Sequence, residues 1–120
     1  MMMRWLFPAH VTPGATQPAG PVLQSFVLEI ILTLFLMLVI LSVSTGAKEK
    51  GITAGIAVGA VIALEALLAG PITGASMNPA RSLAPALVSG EFGGLWVYLT
   101  APFAGGVAAA QVYEGLRGRG

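Results

Sequence analysis

The chain has 120 residues, of which 56% are hydrophobic and only 9% are charged, whereas an ordinary soluble domain is about 25% charged. It has no Cys, no Asp and one His, His10, so it cannot form a disulfide, a thiolate metal site or a Ser-His-Asp triad. The net charge of +1 argues against a nucleic-acid partner, and we expect neither an enzyme nor a cofactor or metal site.

Three long apolar segments follow an N-terminal stretch, residues 1–21, which is rich in Pro, Gly and Thr and is interpreted as a loop. The segments lie at residues 22–43, 52–69 and 94–115. About 20 apolar residues cross the ~30 Å hydrocarbon layer, where no water is available to unpaired backbone groups. All three segments are therefore predicted to be transmembrane helices, since 120 residues cannot enclose this much apolar helix in a soluble core.

The positive charges predict the orientation of these spans. Lys48 and Lys50 lie in the turn after the first span, and Arg117 and Arg119 lie at the C-terminal end, two crossings later and on the same side. The positive-inside rule places this side in the cytoplasm and the N-terminus outside.

Two further patterns occur in the second and third spans. Gly51, Gly55 and Gly59 recur every fourth residue, and such a stripe of small residues predicts close packing of helices. Trp96 and Tyr98 lie at the start of the third span, where an aromatic belt at the membrane surface would place them.

The stretch GASMNPARSLAPALV, residues 74–88, interrupts the apolar sequence with polar side chains. Asn78 is a favoured N-cap and Pro79 a favoured first helical residue, so a helix is predicted over residues 79–88. Its length of about 15 Å is half a bilayer and is typical of a re-entrant segment. The positive helix start, the Asn78 amide and the Arg81 guanidinium would then favour neutral solutes over cations. The alternative is a helix on the outer surface, with Arg81 in water.

SMNPARS resembles the second Asn-Pro-Ala box of the major intrinsic proteins, the aquaporins and glycerol facilitators. The run GPITGASMNPARSLAPALVSG is similar to the Nod26-like branch, and bacterial members are expected to be the closest. Glu29 and Thr33 resemble the ExxxT of the family's fourth helix. The resemblance covers residues 8–117 and only the second half of a family member. It implies an all-α membrane protein, an aquaporin-like half with three transmembrane helices and one re-entrant half-helix over residues 22–117, while MMMRWLF resembles the end of a third helix.

The resemblance also implies roles for individual residues. The box at the middle of the pore consists of Asn78, Pro79 and Ala80. The narrow selectivity filter receives Ala66, Ala75 and Arg81 from this half. Two alanines there imply an opening wide enough for more than water, whereas Ser82 departs from the Asp of glycerol facilitators.

Two glutamates lie within the spans. The resemblance implies that Glu29, with Thr33, supports the loop before the half-helix, and we expect Glu29 to accept backbone N–H groups near residues 74–77. Glu65 has two open interpretations: it faces the filter, with a salt bridge to Arg81 as one option, or it faces a neighbouring helix.

A single half cannot enclose a pore, so the expected partners are the lipid bilayer, small neutral solutes such as glycerol and metalloid acids, and a second half-channel. That half is either a second, antiparallel copy or a separately encoded chain, and the family's tetramers imply a higher oligomer. The alternatives are a truncated fragment that does not conduct and a membrane scaffold protein. The expected location is a bacterial inner membrane with a cytoplasmic C-terminus.

Overall fold

The computed structural model describes residues 2–9, 14–45 and 51–118 and is helical. Its helices are a short α1 and four longer ones: α1 Met2–Leu6, α2 Val22–Thr45, α3 Ile52–Thr73, α4 Pro79–Ser89 and α5 Leu95–Arg117. Helices α2, α3 and α5 are long and apolar enough to cross a membrane, with 24, 22 and 23 residues. The predicted all-α membrane architecture, with three long spans and a half-length helix before the last span, is confirmed.

Helix α2 is central, because it packs against both α5 and α3. The contact with α5 is the closer one. A Cβ placed on Gly105 of α5 would lie only 2.5 Å from the carbonyl oxygen of Ile30 and 2.8 Å from the Cβ of Thr33. The absence of a side chain at Gly105 therefore lets the two backbones approach, as small residues do between membrane helices.

Several helix ends differ from the predicted ones. Helix α3 continues past Gly70 and Pro71 and ends at Thr73, whereas the sequence pattern placed its end at Ala69. Pro71 lies in the last turn, so it removes one hydrogen bond without stopping the helix. The helix ends instead at Gly74, which has a left-handed φ of 84° and donates its N–H to the Gly70 carbonyl.

The ends of the other helices shift by at most two residues. Helix α2 ends at Thr45 rather than residue 43, α4 ends at Ser89 rather than 88, and α5 covers Leu95–Arg117 rather than 94–115. The division of the chain at residue 21 stays a prediction, although α1 shows that the N-terminal stretch is not loop throughout. Lys48, Lys50 and Arg119, which determine the predicted orientation, lie outside the described residues, as does His10.

Residues 14–20 lie across the loop that joins α3 to α4. The N–H of Ala19 donates to the carbonyl of Ile72 at 2.9 Å. A Cβ on Gly74 would lie 3.1 Å from the side chain of Thr16, which shows how closely the two loops approach. The N-terminal loop thereby covers the loop before the half-helix.

The aromatic residues at the start of α5 divide into two classes. Trp96 is 54% exposed, as a residue of an interfacial belt should be. Tyr98 is completely buried and its hydroxyl donates to the carbonyl of Thr73, so the belt interpretation is wrong for Tyr98. A buried Tyr hydroxyl needs a partner, and the carbonyl at the end of α3 provides it.

Candidate functional site

The half-helix α4 begins as its sequence predicts. Asn78 has extended backbone angles, and its Oδ1 accepts a hydrogen bond of 2.9 Å from the N–H of Ala80. Pro79 occupies the first turn, where its missing N–H costs nothing. Because Oδ1 acts as the cap, the Asn78 amide NH₂ is left without a partner within the described part of the chain.

The loop before α4 has an unusual backbone. Ala75 and Met77 have left-handed φ angles of 45° and 54°, which residues with a Cβ adopt only at a cost of about 1–3 kcal/mol each. Such a conformation persists only where the surroundings hold it. In this loop the alternating conformations turn the N–H groups of Ser76 and Met77 toward the same carboxyl group.

That carboxyl group belongs to Glu29 of α2, which is completely buried. Its Oε1 accepts from the Ser76 N–H at 2.9 Å and from the Thr73 hydroxyl at 2.8 Å, and its Oε2 accepts from the Met77 N–H at 2.8 Å. The two backbone N–H contacts fall within the loop region expected from the sequence, whereas Thr73 is the last residue of α3. Thr73 also accepts the N–H of Ala75 at 2.9 Å, so its hydroxyl joins the carboxyl group to the strained residue.

Thr33 does not take part in this network. It is buried, and its hydroxyl has no hydrogen-bond partner among the described residues. Its Cβ instead lies against Gly105 of α5. A hydrogen-bonded role for Thr33 in supporting the loop therefore has no counterpart in the structure. Thr33 lies one turn further along the same face of α2 than Glu29, where it packs against α5.

A chain of hydroxyl groups joins α4 to both loops, and the sequence analysis did not find it. The Ser82 hydroxyl lies 2.5 Å from the hydroxyls of Thr16 and Ser76, and the Ser76 hydroxyl donates to the Asn78 carbonyl at 2.8 Å. Each hydroxyl has one proton, so Thr16 donates to Ser82 and Ser82 donates to Ser76. Ser82, which departs from the Asp of glycerol facilitators, is thus a buried link in the support of Asn78.

Arg81 lies one turn into α4 and folds back toward the loop. Its Nη1 donates to the carbonyl of Ala75 and, at 3.4 Å, to that of Gly74. The Ala75 side chain is only 1% exposed, so this residue presents its carbonyl oxygen rather than its methyl group to Arg81. Arg81 as a whole is exposed.

The salt bridge between Arg81 and Glu65 is absent from the described residues. Arg81 is bound to loop carbonyls, whereas Glu65 lies in a crevice between α2 and α3. Of the two open interpretations of Glu65, the structure matches the one in which it faces a neighbouring helix.

Ala66 is exposed on α3, and the small residues of the stripe share its helix face. Gly55 and Gly59 precede Ala66 by eleven and seven residues, which are close to whole numbers of turns. Within the described part of the chain, a Cβ on Gly51, Gly55 or Gly59 would meet nothing within 4 Å. The stripe is therefore not a packing face inside this chain, and packing on another chain stays a prediction.

An open groove of about 450 Å³ lies at the start of the half-helix. Asn78 and Pro79 line its end, while Phe103, Gly106 and Val107 of α5 form much of its apolar wall. The groove thus joins the capped, electropositive end of α4 to an apolar passage along α5. This arrangement offers hydrogen bonds to a solute at one point and few elsewhere.

The fold and this site define a class: an integral membrane protein in which a half-length helix carries a polar group to the end of a groove between spanning helices. The family model of the major intrinsic protein matches residues 5–113, and the chain belongs to this family of channels.

Curated relatives agree with that assignment. The chain is 55% identical over 105 residues to Aquaporin NIP1-1 of Oryza sativa subsp. japonica, covering 88% of this chain and 37% of the relative. It is 51% identical over 108 residues to Nodulin-26 of Glycine max, covering 90% of this chain and 40% of the relative. It is also 48% identical to the Probable aquaporin NIP4-2 of Arabidopsis thaliana, covering 98% of this chain and 42% of the relative. The chain thus spans about two fifths of the length of these plant relatives.

Proposed function

We propose that the chain forms one wall of a passive channel for water and small neutral solutes. The observation that carries this proposal is that two hydrogen-bond donors, on Asn78 and Arg81, lie close together at the start of α4. Asn78 lines the groove with its amide NH₂ unpaired among the described residues, and Arg81 lies one turn further along α4, where its Nη1 donates to the Ala75 carbonyl. Both donate hydrogen bonds to a solute oxygen and, with the positive helix end, oppose the entry of cations.

The proposed solutes include glycerol and metalloid acids as well as water. Ala66 is exposed and small, so in the filter position that the resemblance assigns to it this residue would narrow the passage little. The carbonyls of the loop are occupied by the guanidinium, and the hydroxyl of Ser82 is occupied by Thr16 and Ser76. Selection in this half therefore rests on the donors of Asn78 and Arg81 and on the width left by Ala66.

A second half-channel is part of the proposal, either a second copy or a separately encoded chain. Leu83, Leu87 and Val88 of α4 are exposed, as is most of α3, so a single copy leaves these apolar surfaces uncovered. An exposed half-length helix is not tolerated against lipid, since its ends carry unpaired backbone groups. Pairing across a pseudo-two-fold axis would cover α4 and close the groove.

The proposed orientation has a cytoplasmic C-terminus. The order of the predicted spans puts Lys48, Lys50, Arg117 and Arg119 on one side, and the positive-inside rule assigns that side to the cytoplasm. A bacterial plasma membrane stays a prediction from the resemblance, since the relatives described above are plant proteins.

The proposal is tested by stopped-flow swelling of proteoliposomes with water, glycerol or boric acid as the permeant. Vesicles hold the chain alone or with a first-half chain of a family member, and a proton-sensitive dye reports leakage. We expect solute flux above empty vesicles when the pore is complete, and Arg81→Val should raise proton leakage. Arg117→Val, at the exposed end of α5, is the control and should change neither. Flux equal to empty vesicles in both preparations would favour the non-conducting fragment or scaffold.

A further inference from the structure

A crevice on the side of α2 that faces α3 has the dimensions of a ligand site. It lies between α2 and α3, has a volume of about 470 Å³, and extends from Leu28 and Ile72 at one end to Val39 and Val61 at the other. Eleven residues along each helix correspond to about 16 Å. Sites for small molecules have volumes of about 300–1,000 Å³ and apolar walls with few polar groups.

The one polar side chain that lines this crevice is Glu65. It is 7% exposed, its Oε2 is fully buried, and neither carboxyl oxygen has a hydrogen-bond partner within the described residues. Glu29, in contrast, accepts three hydrogen bonds. An unpartnered carboxyl group in an apolar site is costly, so the crevice is suited to an occupant that supplies a hydrogen bond.

We propose that this crevice binds an apolar molecule carrying a hydroxyl group, which pairs with the Glu65 carboxyl group. A hydroxyl both donates and accepts, so it satisfies either protonation state of the carboxyl. Glu65 lies eight residues before the end of α3 at Thr73, about 12 Å into the span. This depth lies within the hydrocarbon layer, so a phospholipid headgroup at the surface does not reach it.

The shape of the crevice favours a small molecule over a helix of another chain. A partner helix would contact the full length of a span, whereas the crevice covers about half of one. Glu65 lies near the middle of the crevice, between the levels of Val61 and Ile72, which calls for apolar groups on both sides of the hydroxyl. A medium-chain secondary alcohol has this form.

Photolabelling of the purified full chain in nanodiscs tests the proposal without depending on channel activity. The probe is a medium-chain secondary alcohol bearing a diazirine, and the matched control is its deoxy analogue, in which hydrogen replaces the hydroxyl group. Mass spectrometry locates the label on peptides of α2 and α3. Loss of one hydrogen bond changes affinity by about fivefold, so we expect the deoxy analogue to label about fivefold less than the alcohol. Glu65→Leu should lower alcohol labelling to the level of the deoxy analogue, while Glu91→Leu, on the exposed α4–α5 loop, should leave it unchanged.

Competition provides the second readout. An excess of unlabelled alcohol should suppress the labelling of the unmodified chain, which shows a saturable site without any substitution. Equal labelling by the alcohol and its deoxy analogue, or labelling that excess alcohol leaves unchanged, would mean that the probe only partitions into an apolar surface and would overturn the proposal. A second polypeptide crosslinked within the crevice would overturn it in favour of a helix partner.

Discussion

The carboxyl groups on the two sides of α2 differ in their hydrogen bonding. Toward the loop and α5, Glu29 is completely buried and accepts hydrogen bonds from two backbone N–H groups and one hydroxyl. Toward α3, Glu65 is nearly as buried but has no hydrogen-bond partner in the described residues. Burial alone therefore does not distinguish a carboxyl group that stabilises the fold from one that is available to bind a ligand. The two are distinguished by the number of hydrogen bonds that each carboxyl group accepts within the chain.

Removal of the Glu29 carboxyl group should have the largest effect. Glu29→Leu leaves the N–H groups of Ser76 and Met77 unpaired beside two left-handed residues, and each unpaired donor costs about 1–3 kcal/mol. We expect a loss of about 3 kcal/mol or more in the free energy of unfolding, measured by detergent titration in mixed micelles with circular dichroism. Glu29→Gln retains one acceptor and should lose less. Normal stability and flux in Glu29→Leu would show that the carboxyl group does not support the loop.

The packing of α2 on α5 should give the next largest effect. Gly105→Ala places a Cβ 2.5 Å from the Ile30 carbonyl oxygen, so the backbones must separate at a cost of about 1–3 kcal/mol. Gly106→Ala is the matched control, because a Cβ there meets nothing within 4 Å. The same unfolding titration should show a clear loss for the first variant and none for the second. Equal stabilities would mean that the α2–α5 contact is looser than described.

The hydroxyl of Tyr98 should contribute less than either. Tyr98→Phe removes the donor to the buried Thr73 carbonyl and should cost about 1 kcal/mol. Tyr113→Phe removes a contact with the exposed Thr45 hydroxyl at the other end of α5, and its cost should be smaller. The two variants are compared in one unfolding series. A larger loss for Tyr113→Phe would reverse the expected order of importance of the two ends of α5.

The smallest effect is expected on the α3 side. Glu65→Leu replaces a carboxyl group without a partner by an apolar side chain, which is neutral or stabilising by about 1 kcal/mol in such sites. The measurement is the unfolding titration of delipidated protein, with Glu29→Leu run in parallel. If both leucine variants lost stability equally, Glu65 would have a partner inside the chain and the contrast between the two sides of α2 would not hold.

Much of the architecture follows from local sequence patterns. The long apolar segments predict the spans, and Asn78 followed by Pro79 predicts the start of the half-helix, because cap and proline preferences act within a few residues. The end of α3 was predicted four residues too early. Pro71 follows the predicted end, but a proline in the last turn of a helix removes only one hydrogen bond, and Gly74 is the residue that ends the helix.

The candidate site was predictable in part. Glu29, Asn78 and Arg81 could be identified as site candidates from the sequence, because burying a polar or charged side chain in a membrane span costs free energy. Thr16 and Ser82 gave a weaker signal, since small hydroxyl residues are common in membrane helices and 66 residues separate the two. Tyr98 was assigned to an interfacial belt because the sequence shows how far the residue lies from the end of the span. The sequence does not show that its side chain points into the protein, where it is completely buried.

By itself, the sequence determined which segments cross the membrane, where the half-helix begins and which polar groups need partners, because these properties depend on neighbours along the chain. Only the tertiary structure decided which partner each polar group receives. Glu29 and Glu65 have the same chemistry and lie in similar apolar runs, yet the approach of the loop satisfies one and leaves the other in a crevice. Hydrogen bonds depend on distances of about 3 Å between atoms, and packing of distant segments sets those distances.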